Sequence, residues 1–141
     1  MNSLILGAWV FTSLIYRGQE IPRPNPQLIM TFNFQDNGEN ILHYYRQGES
    51  GSCTRVAQFQ FQKGKLHQEV IRASENNAVF CSSDPDMQVG NVSITPVAIR
   101  DDRMVMTLGL GEETLTYIWK PCQQTDLVND CEAVANEKVN P

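Results

Sequence analysis

The most constraining feature of this sequence is the way its chain reversals are spaced. Segments in which apolar and polar residues alternate recur along the chain, as in "LIMTFNFQ" (28–35) and "VAQFQFQ" (56–62). Alternation with a period of two is typical of strands that bury one face. The sequence therefore predicts an all-β protein with strands at 5–16, 28–35, 40–47, 53–62, 65–73, 92–100, 103–110 and 113–120.

The reversals between these strands are of two kinds. Some are tight turns of about two residues, each with a pair suited to a hairpin: Asn37-Gly38, Lys63-Gly64 and Asp101-Asp102. Others are long loops: 17–26, 48–52 and 74–91. The two kinds alternate, so in an up-and-down meander all the long loops lie at one end. This predicts an antiparallel barrel of about eight strands with a loop-rich mouth and a closed base.

Length and composition indicate one ordered domain. A chain of 141 residues can bury a core without help, so we predict a single domain over 1–141 with its barrel at 5–120. The remainder, 122–141, is predicted to be a C-terminal helix and tail. Within it, the stretch from Thr125 to Lys138 has apolar residues at helical spacing after a residue suited to cap a helix.

Charge and hydropathy argue against two classes of partner. The net charge is -5 and there is no long basic cluster, which argues against nucleic acid. The apolar run at 4–16 is shorter than the ~20 residues of a membrane helix, so we predict that the chain does not span a membrane. The run also lacks a basic residue before Arg17 and a small-residue cleavage site after it, and it is therefore a poor signal peptide.

The four cysteines predict a compartment and a pairing. Their even number indicates two disulfides in an oxidising compartment; zinc is the alternative, but no close pair of ligands supports it. Strand parity places Cys53 and Cys81 at the mouth, and Cys122 and Cys131 at the base. A disulfide needs Cα atoms within roughly 7 Å, so the predicted bonds are Cys53–Cys81 and Cys122–Cys131. We expect a periplasmic or secreted protein, with no bound metal, whose signal peptide is not part of this chain.

The first strand carries a Gly-x-Trp motif, Gly7 to Trp9. Together with about eight meander strands, a long first loop and a final helix, it resembles the lipocalin fold over residues 5–138. The resemblance implies that Trp9 closes the barrel base and that Lys120 lies across it. The Thr-Asp-Tyr turn of typical lipocalins is replaced by "RDDR", so the chain resembles a divergent, bacterial-type lipocalin-like (calycin-type) domain. The other interpretation is an unrelated barrel in which Trp9 is an ordinary buried aromatic.

The tight turns also predict which side chains face inwards, since a slip of one residue moves every side chain to the other face. A two-residue turn at 37–38 pairs Phe34 with Ile41 and places His43 and Tyr45 inside the barrel. The resulting interior is largely apolar, as small-molecule pockets are, although small barrels can also pack their interiors with side chains. The predicted ligand-binding residues are Leu28, Met30, Tyr45, Arg55, Ala57, Val70, Arg72, Thr95, Val97, Met106 and Leu108.

Two arginines stand out in this interior. A two-residue turn at 63–64 pairs Arg55 with Arg72, both facing inwards just below the mouth. Like charges directly opposite destabilise a sheet, and a ligand carboxylate or phosphate would balance them through charge-assisted hydrogen bonds. The alternatives are that acidic residues of the mouth loops neutralise the pair, or that the strand is slipped and Arg72 points outwards.

No catalytic constellation is evident in the sequence. His43 and His67 are predicted on opposite faces, and neither lies near a nucleophile motif. We therefore expect non-enzymatic binding, without a cofactor, of a small hydrophobic and fatty-acid-like molecule that can be anionic. The alternatives are a structural barrel whose mouth loops bind a protein partner, such as an inhibitor or assembly factor, and an isomerase or hydrolase that uses His43 and Tyr45.

Overall fold

The alternating segments form strands close to where the sequence predicts them. The computed structural model describes residues 4–110 and 113–122. The strands are β1 (Gly7–Tyr16), β2 (Gln19–Pro22), β3 (Leu28–Phe34), β4 (Glu39–Arg46), β5 (Cys53–Gln62), β6 (Lys65–Ala73), β7 (Val92–Arg100), β8 (Arg103–Leu110) and β9 (Glu113–Pro121). Strands β5 to β8 have the predicted bounds.

All neighbouring strands pair antiparallel, and β1 pairs with β9 to close the sheet into a barrel. The first half of β1 pairs with β3, while its second half pairs with β2. Eight strands, β1 and β3 to β9, therefore form the barrel, which confirms the predicted fold class. The short, exposed β2 lies within 17–26, which the sequence predicts to be a loop.

Two of the three predicted hairpin turns are confirmed. Lys63 and Gly64 have φ of 53° and 72°, and Asp101 and Asp102 have φ of 51° and 59°. Positive φ at both central residues is the mark of the two-residue hairpin turn whose twist matches that of the strands. The pairings next to these turns, Phe61 with Leu66 and Ile99 with Met104, are observed.

The third turn is one residue longer than predicted. Gln35 N donates to Glu39 O at 2.9 Å, so the loop contains the three residues 36–38, with Gly38 at positive φ as three-residue hairpins require. Phe34 consequently pairs with Asn40. The single extra residue turns β4 over, and the prediction that His43 and Tyr45 face the interior is wrong.

A β-bulge in β6 changes the register that the sequence predicts for its pairing with β5. Val56 pairs with Arg72 but Ala57 pairs with Val70, so Ile71 is the extra residue of β6. Beyond the bulge, Arg72 shares the outward face of Val56, and its guanidinium forms an ion pair with Glu39 at 2.9 Å. The prediction that Arg72 faces Arg55 inside the barrel is therefore wrong, and the slipped-strand alternative is confirmed.

Aromatic side chains fill the base of the barrel. Phe34 and Phe59 meet edge to face, with ring centroids 5.1 Å apart. Trp9 is 5% exposed and its indole N–H donates to Ile5 O at 2.9 Å. Lys120 pairs with Val10, the residue that follows Trp9 on β1. Val10 and Lys120 therefore lie on the outward face, opposite to that of Trp9. The expectation that Lys120 lies across Trp9 is therefore wrong.

Two predictions fall on residues that the structure does not describe. The C-terminal helix expected at 125–138 lies outside the described residues, as does Cys131 and hence the predicted Cys122–Cys131 bond. In the part of the chain that is described, no helix has the length and apolar character needed to cross a membrane.

Candidate functional site

A cavity of about 340 Å³ lies in the mouth half of the barrel. Its lining divides into two contiguous halves, because neighbouring strands contribute residues of like character. The mainly apolar half, on β3, β4, β8 and β9, consists of Leu28, Met30, Phe32, Leu42, Met106, Leu108, Tyr117 and Trp119. The polar half, on β4 to β7 and the loop before β7, consists of Tyr44, Arg46, Arg55, Gln68, Asp84, Asp86, Ser93 and Thr95.

About half of the predicted ligand-binding residues line this cavity. They are Leu28, Met30, Arg55, Thr95, Met106 and Leu108. Three others are buried in the barrel but are not part of the lining: Ala57, Val70 and Val97. Tyr45 and Arg72 are on the outward face, for the register reasons given above, and Tyr44 and Arg46 take their place.

Arg55 is a buried cation of the cavity wall, and it is 2% exposed. Its Nε donates to Asp86 O at 3.1 Å, Nη1 to Asn40 Oδ1 at 2.5 Å, and Nη2 to Gln68 Oε1 at 3.4 Å. Burial lowers the pKa of Arg55 to about 10, against the opposing effects of Asp86 and Asp84. The guanidinium therefore remains charged at neutral pH.

The loop 74–91 covers part of the mouth. It contains two short 3₁₀ turns, Val79–Ser83 and Pro85–Met87. A disulfide joins Cys81 in the first turn to Cys53 at the start of β5, with Cα atoms 5.7 Å apart, and this confirms the predicted mouth disulfide. Met87 is 3% exposed and packs into the core. The loop is therefore held to the barrel at two points that flank Asp84 and Asp86.

Two carboxylates of this loop face the cavity. Tyr44 Oη donates to Asp84 Oδ2, and the backbone N–H of Asp86 donates to Asp84 Oδ1 at 2.9 Å. Burial raises the pKa of Asp86, the charge of Asp84 raises it further, and Arg55 opposes both. Burial is also the main reason why the pKa of Tyr44 is raised, followed by its hydrogen bond to Asp84. Tyr44 is thus a neutral hydrogen-bond donor.

The ring of Phe32 packs against both the guanidinium of Arg55 and the indole of Trp119. The guanidinium carbon of Arg55 lies 5.2 Å from the centre of the Phe32 ring. The centres of the Phe32 and Trp119 rings are 5.3 Å apart. Trp119 is 2% exposed, and its Nε1 has no hydrogen-bond partner within the described ranges. A buried donor without an acceptor is costly, so this atom requires explanation.

The sequence predicts the acidic residues of the mouth loops only as charges that could neutralise the arginines, and it does not identify Trp119 as a cavity residue. The alternating pattern of β4 identifies Tyr44 and Arg46 as cavity residues only when it is known which face of the strand points inwards. The "SSDPD" segment (82–86) has the composition of a solvated turn, and nothing local indicates that its carboxylates reach the cavity. Their position depends on the disulfide and on the burial of Met87.

Neither His43 nor Tyr45 lines the cavity. His43 lies on the outer side of the barrel wall, with Nδ1 2.7 Å from Thr54 Oγ1, so the acid–base pair of His43 and Tyr45 is not in the cavity. Among residues 4–110 and 113–122, no group of three His, Cys, Asp or Glu side chains is placed to hold a metal ion.

The sequence matches no protein-family model, and no curated protein matches it at a significant level. The closed eight-stranded antiparallel barrel is compatible with a lipocalin-like fold. The cavity is therefore the basis of the function proposed below.

Proposed function

We propose that the protein binds a small amphipathic molecule in the barrel cavity and does not alter it chemically. The observation that carries the proposal is the division of the lining into an apolar half and a polar half that includes a buried cation. Small-molecule sites are concave and largely apolar, with a few polar groups that fix orientation. A packed structural interior would have no need of a charged arginine beside open space.

The cavity sets the size of the ligand. Its volume of about 340 Å³ is near the lower end of the range for small-molecule sites. A water molecule occupies about 30 Å³ in the liquid, and a methylene group is of similar size, so the cavity accommodates roughly eleven non-hydrogen atoms. Larger molecules would extend through the mouth into solvent.

The mouth disulfide supports a location for this activity. A bond between Cys53 and Cys81 indicates an oxidising environment, and we propose that the protein acts in a periplasm or outside the cell. A lipocalin-like carrier in such a compartment would take up its ligand from the surrounding fluid.

The proposal is tested with a small neutral fluorophore, 1-aminoanthracene, whose emission rises in apolar surroundings. Leu108→Trp fills the mouth half of the cavity, and we expect it to weaken uptake at least about tenfold, since a side chain would take the place of the probe. Thr107→Trp is the matched control, because Thr107 is the next residue of β8 and faces outwards. Equal uptake by the two variants, both folded, would place the binding site elsewhere.

A protein partner is the second candidate function, and exposed apolar residues of the mouth loop favour it. Val79 is 91% exposed, Val89 63% and Phe80 42%, and exposed apolar clusters mark interaction surfaces. If the interior is only structural, the wild-type protein will not take up the fluorophore at all. The same experiment therefore separates the two candidates.

A further inference from the structure

The pairing between β7 and β8 covers only the half of these strands that is nearer the base. It extends from their shared turn to Val97 and Met106 and ends there. Beyond this point, within the described part of the chain, residues 92–96 of β7 pair with β6 alone and residues 107–110 of β8 pair with β9 alone. These two segments face each other in the mouth half of the barrel, and we call the space between them the slot.

Two residues explain why the pairing ends where it does. Val97 N–H donates to Gly64 O, on the β6 side of β7, at 2.9 Å. Backbone groups alternate in direction along a paired strand, so the backbone nitrogen of Pro96 points to β8, and proline has no N–H to donate there. If the register continued, Ile94 would lie opposite Gly109, and glycine weakens the interior of a strand. The sequence itself therefore disfavours pairing across the slot.

The cavity reaches the slot from the inside. Ser93 and Thr95 of β7 and Leu108 of β8 line the cavity, and they lie on the two sides of the slot. The loop 74–91 contacts β4 and β5 and so covers another part of the mouth. The slot therefore continues the mouth down one side of the barrel.

The outward face beside the slot is apolar. Since Ser93 and Thr95 point inwards, the outward residues of this half of β7 are Val92, Ile94 and Pro96. Val92 and Ile94 are 65% and 59% exposed. The outward face of an antiparallel strand is ordinarily polar. An apolar chain that passed through the slot would cover Val92 and Ile94.

A second gap in the sheet, between β1 and β3, is filled by the chain itself. Residues 28–30 of β3 have no partner on β1, because the second half of β1 pairs with β2. The side chain of Arg23, which follows β2, donates to Leu28 O at 2.6 Å. Among residues 4–110 and 113–122, no side chain makes such a bond to the backbone of the slot. Of the two gaps, the slot is thus the one that is open to a ligand.

We infer that the ligand is an unbranched amphipath whose tail leaves the cavity through the slot and lies against Ile94. This inference rests on the proposed function and adds to it the shape of the ligand and the place of its tail. The cavity holds about eleven non-hydrogen atoms, so a longer tail must extend beyond it. The strands are still paired at Val97 and Met106, so the slot narrows towards the base. It suits one hydrocarbon chain better than an inserted β-strand, which needs about 4.8 Å on each side.

Hydrogen exchange, followed by nuclear magnetic resonance in the ligand-free wild-type protein, tests the slot itself. The amides of Ile94 and Gly109 point into the slot and should exchange about a hundredfold faster than those of Thr95 and Leu108, which are bonded to β6 and β9. Equal protection of Ile94 and Thr95 would show that β7 and β8 pair over their full length, and overturns the inference. Protection of Ile94 that rises with protein concentration also overturns it, because a second copy would then fill the slot.

A series of unbranched alcohols, from hexan-1-ol to tetradecan-1-ol, tests the tail by displacement of bound 1-aminoanthracene. Uncharged heads are appropriate because the two arginines and two aspartates of the lining balance each other. Affinity should rise about fourfold per methylene until the cavity is full near decan-1-ol. From decan-1-ol to tetradecan-1-ol it should still rise about twofold per methylene, because the slot buries about half of each group. A plateau after decan-1-ol would place the tail in water, and it overturns the inference while the proposed function stands.

A pair of variants locates the tail. Ile94→Gln should remove the gain from decan-1-ol to tetradecan-1-ol and change the binding of hexan-1-ol by less than about twofold, since the shorter alcohol stays inside the cavity. Ile21→Gln is the matched control, because Ile21 is an exposed isoleucine of β2, beside the other gap, and it should keep the gain. If the two variants behave alike, or if only Ile21→Gln loses the gain, the tail is not in the slot and the inference is overturned. A wild-type protein that binds neither the fluorophore nor any alcohol refutes the proposed function instead.

Discussion

Removal of the mouth disulfide should lower stability substantially. Cys53 and Cys81 are separated by 28 residues, and the bond prevents this part of the unfolded chain from exploring extended conformations. We consider the double variant Cys53→Ala/Cys81→Ala in place of a reductant, because the double variant leaves the other two cysteines untouched.

The magnitude follows from the loop length. In the chain-entropy description, closing a loop of this size removes about 12 cal/mol/K from the unfolded state, which corresponds to about 3.6 kcal/mol at 25 °C. Both cysteines are almost fully buried, at 0% and 2% exposure, so loss of their sulfur atoms adds to the cost. For a chain of this length we expect the midpoint of thermal unfolding to fall by about 10–14 °C.

Circular dichroism during heating and urea titration measures both parts of the argument. The urea m-value of the double variant should also rise, because an unconstrained unfolded chain exposes more surface. Mass spectrometry of the parent protein must first show the Cys53–Cys81 bond. A fall of less than about 3 °C with an unchanged m-value would show that the bond does not act by restricting the unfolded chain.

Two further predictions concern Asp86 and Asp102. Because the folded state raises the pKa of Asp86, its ionisation opposes folding above that pKa, so Asp86→Asn should raise the thermal midpoint at neutral pH. This gain should vanish below about pH 3, where the carboxyl is protonated in both the folded and the unfolded state; a gain that is constant with pH would contradict it. Asp102 has φ of 59°, so Asp102→Gly should stabilise by about 0.5 kcal/mol in urea titration. Asp102→Ala should destabilise, and equal stabilities would exclude backbone strain.

The sequence was sufficient for the strands because the signals that define them are local. Alternation with a period of two and residues suited to tight turns specify strand bounds within a few residues, as β5 to β8 show. Strand parity then placed Cys53 and Cys81 at the same end of the barrel, and the structure confirms the bond.

The candidate site was predicted only in part, because its polar half depends on contacts between distant residues. Arg55 and Thr95 lie on strands whose faces were assigned correctly. The aspartates of the mouth loop reach the cavity only because Cys81 and Met87 fix the loop at either side. No pattern within that segment distinguishes it from a solvated turn.

The sequence by itself determined that this chain forms a closed meander with its long loops at one end. Tertiary structure alone decided which face of β4 points into the cavity. It also decided which residues of β6 beyond Ile71 face inwards. The physical reason is that an alternating pattern is the same for both faces, and one residue separates them. The third residue of the loop at 36–38 and the bulge at Ile71 are set by the fit between neighbouring strands as the barrel closes. Because of the extra loop residue, Tyr44 lines the cavity in place of Tyr45. Because of the bulge, Arg55 is the one member of the predicted arginine pair that lies inside the barrel.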